Sequence, residues 1–285
     1  MTHRQILSEA TDRLEKVGID EASTDAWVLF EYVFQMNRTQ YFMRSNEPAD
    51  DLKVEEYRKL IERRAGHEPL QYITGKAYFM GLEFMVNPSV LIPRYDTEIL
   101  VEETLKHISD GSSILDVCTG SGCIAISLGI LRKKCTVTGI DISKDALKVA
   151  ETNKLLNKSD NDLDDTLDNV TFMESDMFSN VTEQYDIIVS NPPYIKSAEV
   201  DVLMPEVVGH EPRLALDGME DGLHFYKILA AQSQKFLKDN GLLIMEIGYD
   251  QAEDVSRLLE NNNFTDITVI RDLAGHNRVV CGRRK

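Results

Sequence analysis

The sequence has no apolar run long enough to cross a bilayer, which takes about 20 consecutive apolar residues. Residues 1–16 combine helical periodicity with acidic side chains, without the basic segment and apolar core of a secretory signal. The four cysteines include no C-x-x-C pair, a pattern that predicts reduced, mostly buried thiols and no disulfide framework. We therefore expect a cytoplasmic protein that uses no membrane.

Histidines are few and carry no metal-binding pattern. The six are scattered along the chain, without the spacing of metal ligands, so we predict no bound metal. Residues 157–169 are rich in Asp, Asn and Ser but lack the glycine and the closing glutamate of a calcium-binding EF-hand loop. We interpret them as a solvated loop between a helix and a strand.

Positive charge is also scarce, since the formal net charge is −17. Residues 1–75 carry 10 basic and 14 acidic side chains, so most of the excess negative charge lies in the remainder of the chain. Proteins that bind nucleic acids neutralise phosphates with basic faces. The charge balance therefore argues against direct nucleic-acid binding and favours a cationic protein partner.

Hydrophobic periodicity divides the chain into three parts. The first part carries apolar residues at helical spacing, the second is a short stretch of aromatic and β-branched residues between turn signals, and the third alternates strands with helices. The third part closes with an antiparallel strand pair, so we expect an α/β fold with a Rossmann-like, mostly parallel sheet. The predicted domains are a helical bundle at residues 1–71, a β-hairpin linker at 72–95 and an α/β domain at 96–285.

Glycine and polar residues follow three successive strands of the predicted sheet. A glycine-rich turn after residues 113–117 lets the backbone approach a ligand, and the following helix favours an anionic group at its amino end. Acidic side chains end the next two strands, where ribose and adenine contacts are common in such folds. The candidate cofactor residues are Cys118, Thr119, Gly120, Ser121, Gly122, Asp141, Asp176 and Met177, with Asn191 from a fourth strand.

Two of the acidic residues have alternative interpretations. Asp141 is placed either to contact a ribose or to cap the helix that follows it. Asp116, at the end of the first strand, either braces the glycine-rich turn or contacts a ligand directly. Two glycines and an acid suit NAD as well as S-adenosylmethionine, so these strand ends leave the cofactor open.

Asn191-Pro192-Pro193-Tyr194 narrows the chemistry. It closes residues 185–190, which we predict to be a buried parallel strand. The Asn191 side-chain oxygen and the Pro192 carbonyl can both accept hydrogen bonds from one planar NH2 group, the prolines fix the backbone, and Tyr194 offers an aromatic wall. These residues, including Pro193, are the predicted substrate site, and Asn191, Pro192 and Tyr194 the predicted catalytic residues. Hydride transfer has no use for such a group, whereas methylation of a nitrogen does.

The motifs DVCTGSG, GIDIS, ESDMF and NPPY, in this order, resemble a class I S-adenosylmethionine-dependent methyltransferase. HEPLQYITG at 67–75, IPRYDTE at 92–98 and HEPRLAL at 210–216 are similar to segments of the peptide-chain release factor glutamine methyltransferases, and this resemblance covers nearly the whole chain. Cys118 and Tyr95 stand where many relatives carry glycine and proline. Cys118 can serve in this turn if its backbone stays in a region open to non-glycine residues.

The resemblance implies methyl transfer from S-adenosylmethionine to the side-chain amide nitrogen of the glutamine in the Gly-Gly-Gln motif of class I release factors, with S-adenosylhomocysteine as product. It implies release factors as partners, and we expect the helical domain to dock them. One alternative is a nucleic-acid adenine amino-methyltransferase. Another is a binding module that has lost catalysis, which the intact Gly120, Gly122, Asp141 and Asn191 argue against.

Overall fold

The computed structural model describes residues 1–158 and 167–285. The chain forms two compact units. The helical unit comprises Met1–Gly75 and Met204–His210, and the sheet unit comprises Lys76–Leu203 and Glu211–Lys285. The centre of the predicted solvated loop at 157–169 lies outside the described residues. Within them, no helix is long and apolar enough to cross a membrane.

The helical unit packs around an aromatic core. Phe30 and Phe34 stack with ring centroids 4.4 Å apart, and the buried Tyr57 donates its hydroxyl proton to the Ala26 carbonyl at 2.8 Å. The helices are α1 (His3–Glu15), α2 (Ala22–Phe34), α3 (Arg38–Arg44), α4 (Asp51–Ala65), α5 (Leu70–Thr74) and, from the second segment, α10 (Pro205–Val208).

Arg64 ties the two segments of this unit together through a buried ion pair with Asp25 and a partly buried one with Glu206. Arg64 donates to Asp25 at 2.6 Å and to Glu206 at 3.2 Å, and His67 Nδ1 lies 3.1 Å from the same Glu206 oxygen. Burial raises the pKa of Asp25, and the Arg64 guanidinium opposes that rise. Because removing one partner of a buried pair costs about 3 to 5 kcal/mol, Arg64 holds α2, α4 and α10 in one arrangement.

The sheet unit begins with an antiparallel hairpin and continues as a seven-stranded sheet in the order β5-β4-β3-β6-β7-β9-β8. The first five of these strands run parallel, and β9 is antiparallel to both of its neighbours. This mixed sheet confirms the predicted α/β fold class. The strands are β1 (Lys76–Phe79), β2 (Leu82–Met85), β3 (Ser113–Val117), β4 (Thr136–Asp141), β5 (Val170–Glu174), β6 (Tyr185–Ser190), β7 (Leu237–Glu246), β8 (Phe264–Arg271) and β9 (Asn277–Arg284).

Helices cover both faces of the sheet. They are α6 (Tyr95–His107), α7 (Cys123–Leu131), α8 (Lys144–Leu156), α9 (Ser197–Val200), α11 (His224–Gln232) and α12 (Ala252–Asn261). One core contains Val189 and Ile244 with residues of α6 and α7, and the other contains Ile188 and Met245 with residues of α11 and α12. Since strand side chains alternate, residue 191 after β6 and Glu246 at the end of β7 belong to the face of α6 and α7.

Two local predictions differ from the structure. The hairpin strands begin at Lys76 and not at residue 72, because residues 72–74 belong to α5, which ends at Gly75 with φ of 74°. The stretch after Tyr194, predicted as a long loop, contains α9, α10 and a 3-10 turn at Arg213–Ala215. Pro205 opens α10 at a position where its missing N–H removes no helical hydrogen bond.

Candidate active site

The parallel register brings the strand ends to one edge of the sheet. Val117 of β3 pairs with Ser190 of β6, and Ser190 pairs with Met245 of β7. A cavity of about 450 Å³ opens at this edge. The predicted site residues that line it are Cys118, Thr119, Gly120, Ser121, Asp141, Asp176, Met177, Asn191 and Pro193. Gly122, Pro192 and Tyr194 lie outside this lining.

Gly122 does not line the cavity and is closely packed by neighbouring side chains. It precedes α7 with φ of 78°, and a Cβ atom there would lie 2.9 Å from the ring of Phe172. A side chain is thus opposed by both the backbone conformation and the packing. Cys118 does not meet the condition set for it, since its φ of 63° lies in the left-handed region, at a cost of about 1 to 2 kcal/mol for a non-glycine residue.

Asp141 connects the glycine-rich turn to the start of α8. Its Oδ2 accepts from the Gly120 N–H at 2.9 Å and its Oδ1 accepts from the Ser143 N–H at 2.8 Å. The helix cap itself is Ser143, whose hydroxyl accepts from the Ala146 N–H. Burial raises the pKa of Asp141, and these backbone donors oppose that rise. Each carboxylate oxygen retains a lone pair for a ligand hydroxyl.

Asp116 makes the bracing contact that was one of its two interpretations. Its Oδ2 accepts from the Thr119 hydroxyl at 2.6 Å, and its Oδ1 is buried without a hydrogen-bond partner among the described residues. Burial raises the pKa of Asp116 to about 7. The carboxyl therefore holds the turn from within the core.

The Asn191 amide is fixed by a residue from a distant helix. Its Nδ2 donates to Oγ1 of Thr97, on α6, at 3.1 Å, which leaves Oδ1 as the atom that can accept. Pro192 and Pro193 are buried, so the backbone that follows is held firmly. Asn191 thus lines the cavity with its amide nitrogen engaged, and its role as a rigid acceptor stays a prediction.

The backbone of Tyr194 is held by Gln251, which precedes α12. Its carbonyl accepts from Nε2 of Gln251 at 3.0 Å. Gly218 and Gly222 lie directly against it, and a Cβ atom at Gly222 would come within 2.5 Å of the Tyr194 carbonyl oxygen. The Tyr194 ring packs against the core on the α11 and α12 face, and burial raises its pKa. An aromatic wall for the substrate at this ring stays a prediction.

Two of the sequence motifs meet through Glu211. Its buried carboxyl accepts from the Ile92 N–H at 3.4 Å and forms an ion pair with Arg94. Residues of both motifs, including Pro93 and Pro212, line the cavity. The pairing gives IPRYDTE and HEPRLAL a shared structural role that their separation in the sequence conceals.

Sequence reasoning missed Glu246, which completes β7 beside Asn191. Only 3% of this residue is exposed, and its Oε2 has no hydrogen-bond partner within the described part of the chain. Burial raises its pKa to about 7, while Thr97, Arg278 and Asn191 oppose the rise. The signal in the sequence was one acid at the end of an apolar strand, which by itself is also common at a solvated strand end.

The cavity suits a nucleoside that carries a charged amino-acid tail. Its volume falls within the range of about 300 to 1,000 Å³ typical of small-molecule sites. The amino end of α7 and the Asp141 carboxyl offer polar groups, and Met177 and Ile142 offer apolar surface. Across the described residues, no group of three or more His, Cys, Asp or Glu side chains is placed to hold a metal ion.

Comparisons with known proteins identify the family and the fold. Residues 5–75 match the family model described as PrmC N-terminal domain, and residues 95–219 match the one described as methyltransferase small domain. A methyltransferase structure from Pyrococcus furiosus shares the fold, with a TM-score of 0.54 at 15% identity over 81% of this chain and 98% of that one.

Two curated proteins align over almost the whole chain. The release factor glutamine methyltransferase of Fusobacterium nucleatum subsp. nucleatum is 40% identical over 284 residues, which cover 98% of this chain and 78% of that protein. The release factor glutamine methyltransferase of Geobacter sulfurreducens is 37% identical over 283 residues, which cover 99% and 96%. The chain therefore belongs to the release factor glutamine methyltransferase family of class I S-adenosylmethionine-dependent methyltransferases.

Proposed function

We propose that this protein methylates the side-chain amide nitrogen of the glutamine in the Gly-Gly-Gln motif of class I release factors. The observation that carries the proposal is Asn191, whose amide nitrogen is engaged by Thr97 while the residue lines the cavity. An acceptor held in this way suits a substrate that presents two N–H donors. The family assignment supports release factors as the source of that glutamine.

The cofactor side of the site is formed by the strand ends. S-adenosylmethionine supplies, when bound, an electrophilic methyl group. We assign its binding to the turn from Cys118 to Gly122 at the start of α7, to Asp141 for ribose hydroxyls, and to Asp176, Met177 and Asn191. The observed contacts of Asp141 with the Gly120 and Ser143 N–H groups support this assignment, because they fix the carboxylate at the cavity.

The substrate side must orient a poor nucleophile. A glutamine amide nitrogen is weakly nucleophilic because its lone pair is delocalised. Asn191 Oδ1 and the Pro192 carbonyl accept from its two N–H bonds, which directs the lone pair and stabilises the positive charge that develops on nitrogen. Pro193 and Tyr194 complete the substrate contact. Since the nitrogen becomes acidic only as it is alkylated, no strong base is required before attack.

Recognition of one protein requires contacts beyond a single glutamine, since a standard protein interface buries about 800 Å² on each partner. We propose that the helical unit, expected as a domain at residues 1–71, docks the release factor. Its α3 has no buried residue and presents Phe42 and Met43 with 72% and 80% of their surface exposed. Contiguous exposed apolar surface is typical of interaction sites, and we assign these two adjacent side chains to such a surface.

Because release factors act in translation, we place the reaction in the cytoplasm.

The methyl acceptor can be identified directly. Incubation with methyl-labelled S-adenosylmethionine should label purified class I release factor on its Gly-Gly-Gln glutamine and leave duplex DNA unlabelled. A release factor in which that glutamine is replaced serves as the matched control. Label in DNA, with none in the release factor, would favour the adenine amino-methyltransferase alternative.

Asn191→Ala should reduce kcat by about a hundredfold or more while the Kd for S-adenosylmethionine changes little. The Asn191 amide is assigned mainly to the acceptor nitrogen and only secondarily to the cofactor, and loss of one preorganised hydrogen-bond acceptor acts mainly on the transition state. Single-turnover kinetics and calorimetry measure the two quantities. Turnover close to that of the unmodified protein would remove Asn191 from its assigned role.

Asp141→Ala should act mainly on the cofactor. Charge-assisted hydrogen bonds contribute about 1.5 to 3 kcal/mol, so we expect the Kd for S-adenosylmethionine to rise by about tenfold or more. The effect on kcat at saturating cofactor should be smaller. Calorimetry that finds an unchanged Kd would leave Asp141 as a purely structural link between the turn and α8.

Replacement of both Phe42 and Met43 by serine should raise KM for intact release factor by about tenfold, because truncation of the few side chains that dominate an interface costs more than about 1 kcal/mol each. Turnover of a short Gly-Gly-Gln peptide should stay unchanged. Leu155→Ser, on the sheet unit with 61% exposure, is the matched surface control. Point changes are preferable to deletion of the amino-terminal helices, which would strip Glu206 of Arg64. An unchanged KM for intact release factor would contradict docking through α3.

A further inference from the structure

Asn191 adjoins two buried polar side chains, Thr97 and Glu246, for which no role in methyl transfer has yet been given. Thr97 accepts from Asn191 Nδ2 at 3.1 Å, and both side chains are close enough to Glu246 to lower the pKa of its carboxyl. Thr97 and Glu246 are each only 3% exposed. Ser190 and Met245 form the last pair between β6 and β7, so Asn191 and Glu246 follow as neighbours on one face of the sheet.

We propose that Glu246 is a positioning residue for methyl transfer and that, together with Thr97, it fixes the Asn191 amide in the orientation that offers Oδ1 to the substrate. This inference rests on the function proposed for Asn191. Glu246 is not among the residues that line the cavity, and we assign both Glu246 and Thr97 an action through the Asn191 amide.

Such positioning is needed because of the shape of the asparagine side chain. A rotation of 180° exchanges Oδ1 and Nδ2 with almost no change in packing, so shape alone does not select one orientation. In the wrong orientation Asn191 would present N–H donors to the N–H donors of the glutamine amide. The site would then repel the group it must bind, because donors facing donors leave both unsatisfied.

An ionised carboxylate removes this ambiguity because it can only accept. The Thr97 hydroxyl can donate to Glu246 and accept from Asn191 Nδ2 at the same time, and Asn191 Nδ2 has a second hydrogen for Glu246. The Thr97 hydroxyl and both hydrogens of Asn191 Nδ2 then point away from the substrate. A protonated Glu246 is itself a donor, which frees the Thr97 hydroxyl to turn and donate to Oδ1 of Asn191. The polarity of the network therefore depends on the charge of Glu246.

The charge of Glu246 is set by groups on several elements. Burial is the largest effect and raises its pKa from 4.5 to about 7, and Asp96 on α6 also raises it. Arg278 on β9 lowers it, as do the hydrogen-bonding side chains of Thr97 and Asn191. The charge of this carboxylate in turn raises the pKa values of Tyr194, of Tyr226 on α11 and of Cys123 on α7. The network consequently changes its polarity near neutral pH.

Ionisation of Glu246 lowers the stability of the folded protein, because proton binding and folding are coupled. Because its pKa is higher in the folded protein than in the unfolded chain, the folded state binds more protons between about pH 4.5 and 7. The contribution of this group to stability is therefore complete below that window and is lost as the pH rises through it. A neutral residue at this position should not show this loss.

The test compares Glu246→Gln, Thr97→Val and Thr97→Ser. Glu246→Gln keeps the shape but can donate, so we expect kcat to fall at least tenfold with less than threefold change in the Kd for S-adenosylmethionine. In the unmodified protein kcat should increase with pH near 7, as Glu246 ionises. This increase should be absent in Glu246→Gln. Thr97→Val should show a similar loss, and Thr97→Ser, which retains the hydroxyl, should recover most of the activity. Ser233→Ala is the matched buried control, since its hydroxyl has no partner within the described residues.

Thermal unfolding from pH 5 to 8 provides a readout that is independent of activity. The Tm of Glu246→Gln should rise relative to that of the unmodified protein as the pH increases. Unchanged kcat and pH profile in Glu246→Gln would overturn the proposal. If that variant does not fold, the Thr97 pair decides, and full activity of Thr97→Val or failure of Thr97→Ser to restore activity would overturn it. An active Asn191→Ala would instead remove the proposed function of Asn191 itself.

Discussion

The candidate site depends on the parallel pairing of β6 between β3 and β7. This pairing places Ser190 opposite both Val117 and Met245, so three chain segments leave the sheet at the same level. A shift of the register by one residue would turn Asn191 away from the face of α6 and remove its contact with Thr97. The apolar residues of β6 prevent such a shift, because they fill the cores on both faces of the sheet.

Features with a local signal could be predicted from the sequence. Asn191 and its two prolines identify a rigid acceptor because their chemistry lies in consecutive residues. The glycine-rich turn after β3 and Asp141 after β4 follow from the order of strands and helices, and the structure places them along one cavity. The seven-stranded sheet follows equally from short apolar runs separated by helices and turns.

Features that join distant parts of the chain could not be predicted in this way. Gln251 holds the Tyr194 carbonyl and Glu211 binds Arg94, yet a single glutamine or glutamate in a sequence has many possible partners. Glu246 looked like an ordinary strand end because its burial depends on packing against residues distant in the sequence. Cys118 shows a different limit, since surrounding contacts hold its backbone in a conformation that its residue type disfavours.

The composition of the helical unit has a consequence for how such proteins can be recombined. Met204–His210 belongs to this unit although the residues before and after it belong to the sheet unit. Its Glu206 depends on Arg64 and His67, which come from the first segment. A chimera that exchanged only the amino-terminal segment would pair a foreign helix with the resident glutamate and leave a partly buried charge mismatched. The units that could be exchanged are therefore defined by side-chain packing and not by position in the sequence. A single crossover point in the gene cannot separate the helical unit from the sheet unit.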